Sequence, residues 1–384
     1  MTLELAADPA APPFSAAHAA LRIEVRSWVQ EHIAPHADAW EQVREFPSSL
    51  VRAAGAAGLL GWKYEPRWGG RGPDLVADVV VTEELARGGS GGVAAGLGAT
   101  KDLAPYYVAR FGDDAQRERW LRPAVAGHEV AALGVTEPGA GSDVAGLRAR
   151  ARPDGAGWRL SGEKVFITNG ARADWVLVAA RTSDDAGWRG ISLMIVPTDA
   201  PGFTASRIPT LGWRTSQTGL LAFDDVYVPR EQVLGEPGSG FVMIMQSFQW
   251  ERVALALGGV TATTGDLEAC APWVRRSDRA AFAALVRRLL AQRALTYEVI
   301  ERLLGGEQPL GLVSGAKWHA CDLSVEAGVF RLGLAQRHGS ARDVLRAERA
   351  VRDARLGPIG GGAREVMADL VARTLALDGP TTAR

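Results

Sequence analysis

Cysteine is nearly absent. Cys270 and Cys321 are the only two among 384 residues, too few for a disulfide framework or a cysteine-based zinc site. Two reduced thiols in a reducing compartment is the simplest reading, and a cytoplasmic protein the expectation. Lysine is scarce too: of 43 basic residues all are Arg except Lys63, Lys101, Lys164 and Lys317, a bias that reads as the mark of a GC-rich genome rather than of chemistry. No stretch reaches the ~20 apolar residues a membrane helix needs, so no membrane partner is expected. Met1–Pro13 carries Glu4 and Asp8 but no basic residue, which does not fit a secretory leader. A formal net charge of −1 excludes the broad basic field of a nucleic-acid binder. The six histidines are scattered, and no metal-ligand pattern emerges; His32 and His36 straddle Pro35 and read as solvent-facing.

What is present is an ordinary globular balance, 47% hydrophobic and 23% charged, over a length that supports two or three domains. Helical periodicity runs through Phe14–Ile33, and Pro47–Gly58 starts another helix with Ser48 or Ser49 as N-cap. Further helical patterns follow to Leu121. After Gly127 short β-rich runs alternate with turn clusters: Val130–Thr136, Leu147–Ala151, Trp158–Leu160 continuing to Lys164–Thr168, Trp175–Ala180, Ile191–Val196, Phe203–Ile208 and Leu220–Val228. Beyond Phe241 the pattern returns to helices, over Arg279–Leu304, Gly315–Gln336, Ala341–Ala354 and Arg364–Leu375. The expected class is therefore α+β. An N-terminal α-helical domain (1–128) is followed by a middle antiparallel β-barrel domain (129–235) and a C-terminal four-helix bundle (236–384).

The most informative stretch is Gly134-Val135-Thr136-Glu137-Pro138-Gly139-Ala140-Gly141-Ser142-Asp143. A strand ends in a turn of small residues, so backbone N–H groups and two hydroxyls can approach a flat or anionic cofactor closely. The string resembles the signature of the acyl-CoA dehydrogenase family. Gly162-Glu163-Lys164-Val165-Phe166-Ile167-Thr168-Asn169-Gly170 is similar to that family's second flavin segment. Leu211–Thr218, Phe223–Pro229 and Arg352-Asp353-Ala354-Arg355 also fit, so the resemblance spans roughly Phe14 to Leu375.

The resemblance implies FAD as cofactor, held by Val135, Thr136, Gly141, Ser142, Phe166, Ile167 and Thr168, with Ser142 also touching substrate. It implies α,β-dehydrogenation of a saturated acyl thioester, acyl-CoA or acyl-carrier protein, with electrons leaving through an electron-transfer flavoprotein. A flavin oxidase or monooxygenase on the same scaffold is the alternative.

Such a reaction needs a base for the α-proton, and burial suits a carboxylate to that task. Many family members carry the base after the Arg-Asp pair, but here Gly361 occupies that position. Others carry it on an earlier helix just before an Arg, which here is Glu251, followed by Arg252. Glu251 lies seven residues after Ile244, three after Phe248 and four before Leu255, on the apolar face of a helix. The expected roles are Glu251 as base, Arg252 as a structural or CoA-binding residue, and the Gly361 N–H as a donor to the thioester carbonyl.

Two family segments are degraded. The Arg-x-x-Phe-Gly arm that reaches a neighbouring subunit's FAD is replaced by Cys270–Asp278, where Arg275 and Arg276 are the available cations. The Gln-x-His-Gly-Gly segment survives only as Gln336-Arg337-His338-Gly339. The implied assembly is a homo-oligomer, dimer or tetramer, or a hetero-oligomer with a paralogous subunit; in the latter case this chain is a half-site partner.

Overall fold

The computed structural model describes residues 13–183 and 187–375. The leader reading over Met1–Pro13 thus lies, but for Pro13, outside the described residues. Along the chain come α1 (Ala16–His32), α2 (Ala37–Val43), α3 (Ser48–Ala56), α4 (Leu75–Ala86), α5 (Gly91–Asp102) and α6 (Ala104–Phe111), then the single turns α7 (Asp114–Gln116) and α8 (Arg122–Val125). The strands are β1 (Ala131–Gly134), β2 (Arg150–Asp154), β3 (Gly157–Ile167), β4 (Trp175–Arg181), β5 (Ile191–Pro197), β6 (Phe203–Arg207), β7 (Gly219–Pro229) and β8 (Val233–Leu234). Five helices follow: α9 (Gly240–Cys270), α10 (Arg279–Leu304), α11 (Leu310–His338), α12 (Ala341–Ala354) and α13 (Arg364–Thr374). This is the helix–sheet–helix order expected. No helix among the described residues is long and apolar enough to cross a membrane.

Two compact units organise these elements. Of the described residues, those within 39–78 and 92–248 form one, and those within 1–38, 79–91 and 249–384 the other. The first is built on an eight-stranded sheet of order β6-β7-β3-β2-β4-β5-β8, with β1 paired to β4. Five of the seven strand pairings are antiparallel; β1·β4 and β2·β4 are parallel. The sheet is therefore mixed.

β4 and β5 read as unbroken apolar runs because both of their faces are covered. Trp175, Leu177 and Ala179 of β4 enter one core with Trp120, Tyr107 and Leu121, while Val176, Val178 and Ala180 enter another with Phe223, Val226 and Leu160. Alternate residues of one strand thus feed two cores. The strand expected over Leu147–Ala151 begins instead at Arg150. The reason is local: the N–H groups of Arg148 and Ala149 donate to the Glu137 carboxylate, at 2.6 and 2.9 Å, rather than to a ladder.

The second unit packs α9, α10 and α11 through Ala256, Val260, Leu267, Leu285, Leu289, Ala320 and Leu323. A Cβ on Gly259 would lie 2.8 Å from the Ala320 carbonyl oxygen, so glycine lets α9 and α11 approach closely. Cys270 and Cys321 are free and buried in this unit.

Candidate functional site

The expected flavin residues lie together in the sheet unit. β1 stops at Gly134, and the chain then turns tightly, with Glu137 and Ala140 bonded to each other's backbones at 2.9 and 3.1 Å. Gly141 and Ser142 are exposed beyond the turn. A Cβ on Gly139 or Gly141 would meet nothing within 4 Å, so the loop faces open space. The loop is stitched to β3 from behind. Val165 N–H donates to the Thr136 carbonyl at 2.9 Å, and the Lys164 ammonium donates to the Val135 carbonyl at 3.0 Å and to Glu137 at 2.7 Å.

β3 carries the second segment, and a register irregularity between Lys164 and Ile167 decides its geometry. Period-two alternation would put Phe166 on the same inward face as Lys164. The bulge, with Phe166 at φ +60°, turns the ring outward instead, to 65% exposure, while Lys164 and Ile167 stay buried. A large aromatic held on the surface in a left-handed conformation is costly for folding alone. The seven residues do not contribute alike. The side chains of Val135 and Ile167 belong to the cores, leaving only their backbones to a ligand. Thr136, Gly141, Ser142, Phe166 and Thr168 all keep solvent-facing surface.

An FAD site is compatible with this arrangement. A free aromatic face lies beside a glycine turn with open space before it, and the Thr136 N–H has no acceptor among the described residues.

The candidate base lies in the helical unit. Glu251 sits on α9, partly buried, and its carboxylate makes no hydrogen bond or salt bridge among the described residues. Burial pushes its pKa up to about 7, against the opposing charges of Arg252 and Lys317. The two alternative base positions of the resemblance, far apart in sequence, are neighbours here. A Cβ on Gly361 would lie 3.7 Å from Glu251 Oε1. Gly361 has φ +63° and Gly362 φ +109°, so the segment needs glycine at both.

Two buried cations brace that segment. Arg252 Nε donates to the Gly361 carbonyl at 3.2 Å, and Lys317 Nζ to the Gly362 carbonyl at 2.7 Å. The Gly361 N–H, which belongs to the preceding peptide, has no acceptor among the described residues. Arg275 and Arg276 of the shortened arm, and Gln336, Arg337 and His338, are exposed.

Lys164 and Lys317 were given no role by the sequence argument, though a signal was there. All four lysines are buried, Lys63 at 7% exposure, Lys101 at 1%, Lys164 and Lys317 at 0%. In a chain that otherwise uses Arg, a slender ammonium survives where a planar guanidinium is harder to enclose.

Known proteins match the chain over nearly its whole length. Residues 15–128, 132–226 and 238–376 match the N-terminal, middle and C-terminal domains of acyl-CoA dehydrogenase. The mitochondrial long-chain specific acyl-CoA dehydrogenase of Sus scrofa is 33% identical over 95% of this chain and 88% of its own. The mitochondrial isovaleryl-CoA dehydrogenase of Oryza sativa subsp. japonica is 30% identical over 91% and 89%. The acyl-CoA dehydrogenase of Geobacillus kaustophilus, a crystal structure, superposes with TM-score 0.91 at 30% identity, covering 95% of this chain and 99% of that one. The chain belongs to the acyl-CoA dehydrogenase family.

Proposed function

We propose that this chain is an FAD-dependent dehydrogenase that converts a saturated acyl thioester to the 2-enoyl thioester, with Glu251 as the base. The carrying observation is Glu251 itself: a carboxylate on an apolar helix face, without a bonded partner among the described residues and with a pKa near 7. A structural ion pair would hold the value low; a general base working near neutral pH needs it high.

FAD, when bound, would supply the acceptor for the β-hydrogen and its electron pair. The residues supporting it are Thr136, Gly141, Ser142, Phe166 and Thr168, with the backbones of Val135 and Ile167. Glu251 removes the α-proton. The enolate-like charge on the thioester carbonyl is met by the Gly361 N–H, and Arg252 and Lys317 hold the two peptides that follow it in the chain. Arg252 therefore acts through the glycine segment, and Ser142, being exposed, takes the substrate-side contact.

Acyl-CoA is the favoured substrate because the long-chain specific and isovaleryl relatives are both named for CoA esters. An electron-transfer flavoprotein as acceptor and an oligomeric assembly complete the reading, in the cytoplasm given two free buried thiols. The exposed Arg275 and Arg276 are the cations left to serve a neighbouring subunit.

The test is Glu251→Gln in the purified holoenzyme. Flavin content should match wild type, while anaerobic bleaching of the flavin band by an acyl-CoA panel is lost. Near-normal bleaching in the variant removes Glu251 from the role.

A further inference from the structure

Lys164 is fully buried, and its ammonium has two acceptors, Glu137 Oε1 at 2.7 Å and the Val135 carbonyl at 3.0 Å. The second contact matters for the loop. Val135 C=O and Thr136 N–H belong to one trans peptide and point in opposite directions. Capturing the carbonyl from behind therefore aims the Thr136 N–H away from Lys164. The next peptide is fixed as well, its carbonyl by Val165 N–H and its Glu137 N–H by Ala140 O, both at 2.9 Å. Thr136 N–H is the donor left over.

A cation at the carbonyl end of a peptide also polarises it, making the N–H at the other end a stronger donor. Glu137 does not simply cancel this field. Its two oxygens also take the N–H groups of Arg148 and Ala149 at 2.6 and 2.9 Å, so its negative charge is spread over three donors. Burial draws the Lys164 pKa down to about 8, with Glu137 opposing; the ammonium form still prevails at neutral pH.

We propose that Lys164 is a positioning residue for the redox step, which orients and polarises the 135–136 peptide so that the Thr136 N–H favours the reduced, electron-rich flavin over the oxidised one. This rests on the FAD reading above. It extends that reading to a residue that touches neither cofactor nor substrate, and it assigns the buried Lys164–Glu137 pair to redox tuning as well as loop anchoring.

The experiment compares FAD midpoint potentials in wild type, Lys164→Gln and the double variant Glu137→Gln/Lys164→Gln, by equilibration with a reference dye. FAD dissociation is measured in parallel. Glutamine can keep the hydrogen bond to Val135 without the charge, and the double variant leaves no buried carboxylate unpaired should the single variant fold poorly. The expected result is retained FAD with a lower potential in both. At a fixed potential the reduced-to-oxidised ratio falls about tenfold, about 30 mV for a two-electron couple, with kcat lowered and KM unchanged. A double variant that binds FAD at the wild-type potential overturns this inference alone. A wild-type chain that takes up no flavin overturns the functional reading and this inference with it.

Discussion

A Cβ on Gly361 would lie 3.7 Å from Oε1 of Glu251 and 2.4 Å from Cδ1 of Leu255. Glycine at this position thus leaves room for the helix-borne carboxylate, and its φ of +63° is one that L side chains rarely adopt. The same segment hands its carbonyls to Arg252 and Lys317. One short loop therefore provides space, an N–H donor and an anchored backbone beside the candidate base.

Gly361→Ala is expected to lower stability by about 1–3 kcal/mol, from the left-handed backbone and the overlap with Leu255. Activity should fall further than stability explains, because the methyl group pushes on the Glu251 side of the segment. Thermal unfolding together with kcat at a temperature where the variant is fully folded separates the two effects. Wild-type kcat in the folded variant would show that the segment does not position the base.

The pH dependence follows from Glu251. Proton abstraction needs the ionised form, so kcat/KM should rise with pH through about 7 and level off above it. Lys317→Met removes a positive charge that lowers the Glu251 pKa, and should move that midpoint upward. Stability runs the other way. The folded state holds the Glu251 proton more tightly than the unfolded chain does, so stability is lost as pH rises from the ordinary 4.5 to about 7. Above that range the cost is up to about 3 kcal/mol. Glu251→Gln should therefore exceed wild type in urea midpoint at pH 8, with the gap narrowing toward pH 5.

Phe166 separates folding from cofactor binding. Its ring is 65% exposed, so Phe166→Ala should leave the flavin-free protein within about 0.5 kcal/mol of wild type. FAD affinity should drop by roughly tenfold as the stacking face is lost. Flavin fluorescence on titration of the stripped protein reads the affinity. An unchanged dissociation constant would return Phe166 to a structural role.

Lys101 tests the buried lysines. Its ammonium lies 2.6 Å from Asp78 and 2.8 Å from Asp102, and Lys63 contacts both of the same aspartates. Lys101→Met leaves too little positive charge for two buried carboxylates, at a cost of about 3–5 kcal/mol. Lys101→Arg should also destabilise, although arginine is this chain's preferred cation, because a fully buried pocket shaped for an ammonium must admit a planar fork. Urea denaturation measures both. An arginine variant as stable as wild type would mean that the lysine bias carries no steric information.

Much of the architecture could be read from local chemistry. The helices over 279–304 and 341–354 are those the periodicity marks, because an amphipathic pattern and its caps are encoded within the segment. Val135, Thr136 and Phe166 were legible as candidate site residues only through a resemblance. Their common setting, a tight turn beside a strand bulge, is a matter of pairing between distant segments. Parallel pairing of β1 with β4 was not legible either, since alternation along a strand does not name its neighbour.

The sequence by itself determined the order of helices and strands and the α9 helix face on which Glu251 lies. Those features depend on side-chain period and backbone sterics within a few residues. Tertiary structure alone decided that Gly361 stands beside Glu251, that Phe166 turns outward while Lys164 turns in, and that every lysine is buried. Burial and proximity are properties of how remote segments pack, and a carboxylate's pKa or an ammonium's partner exists only once they have done so.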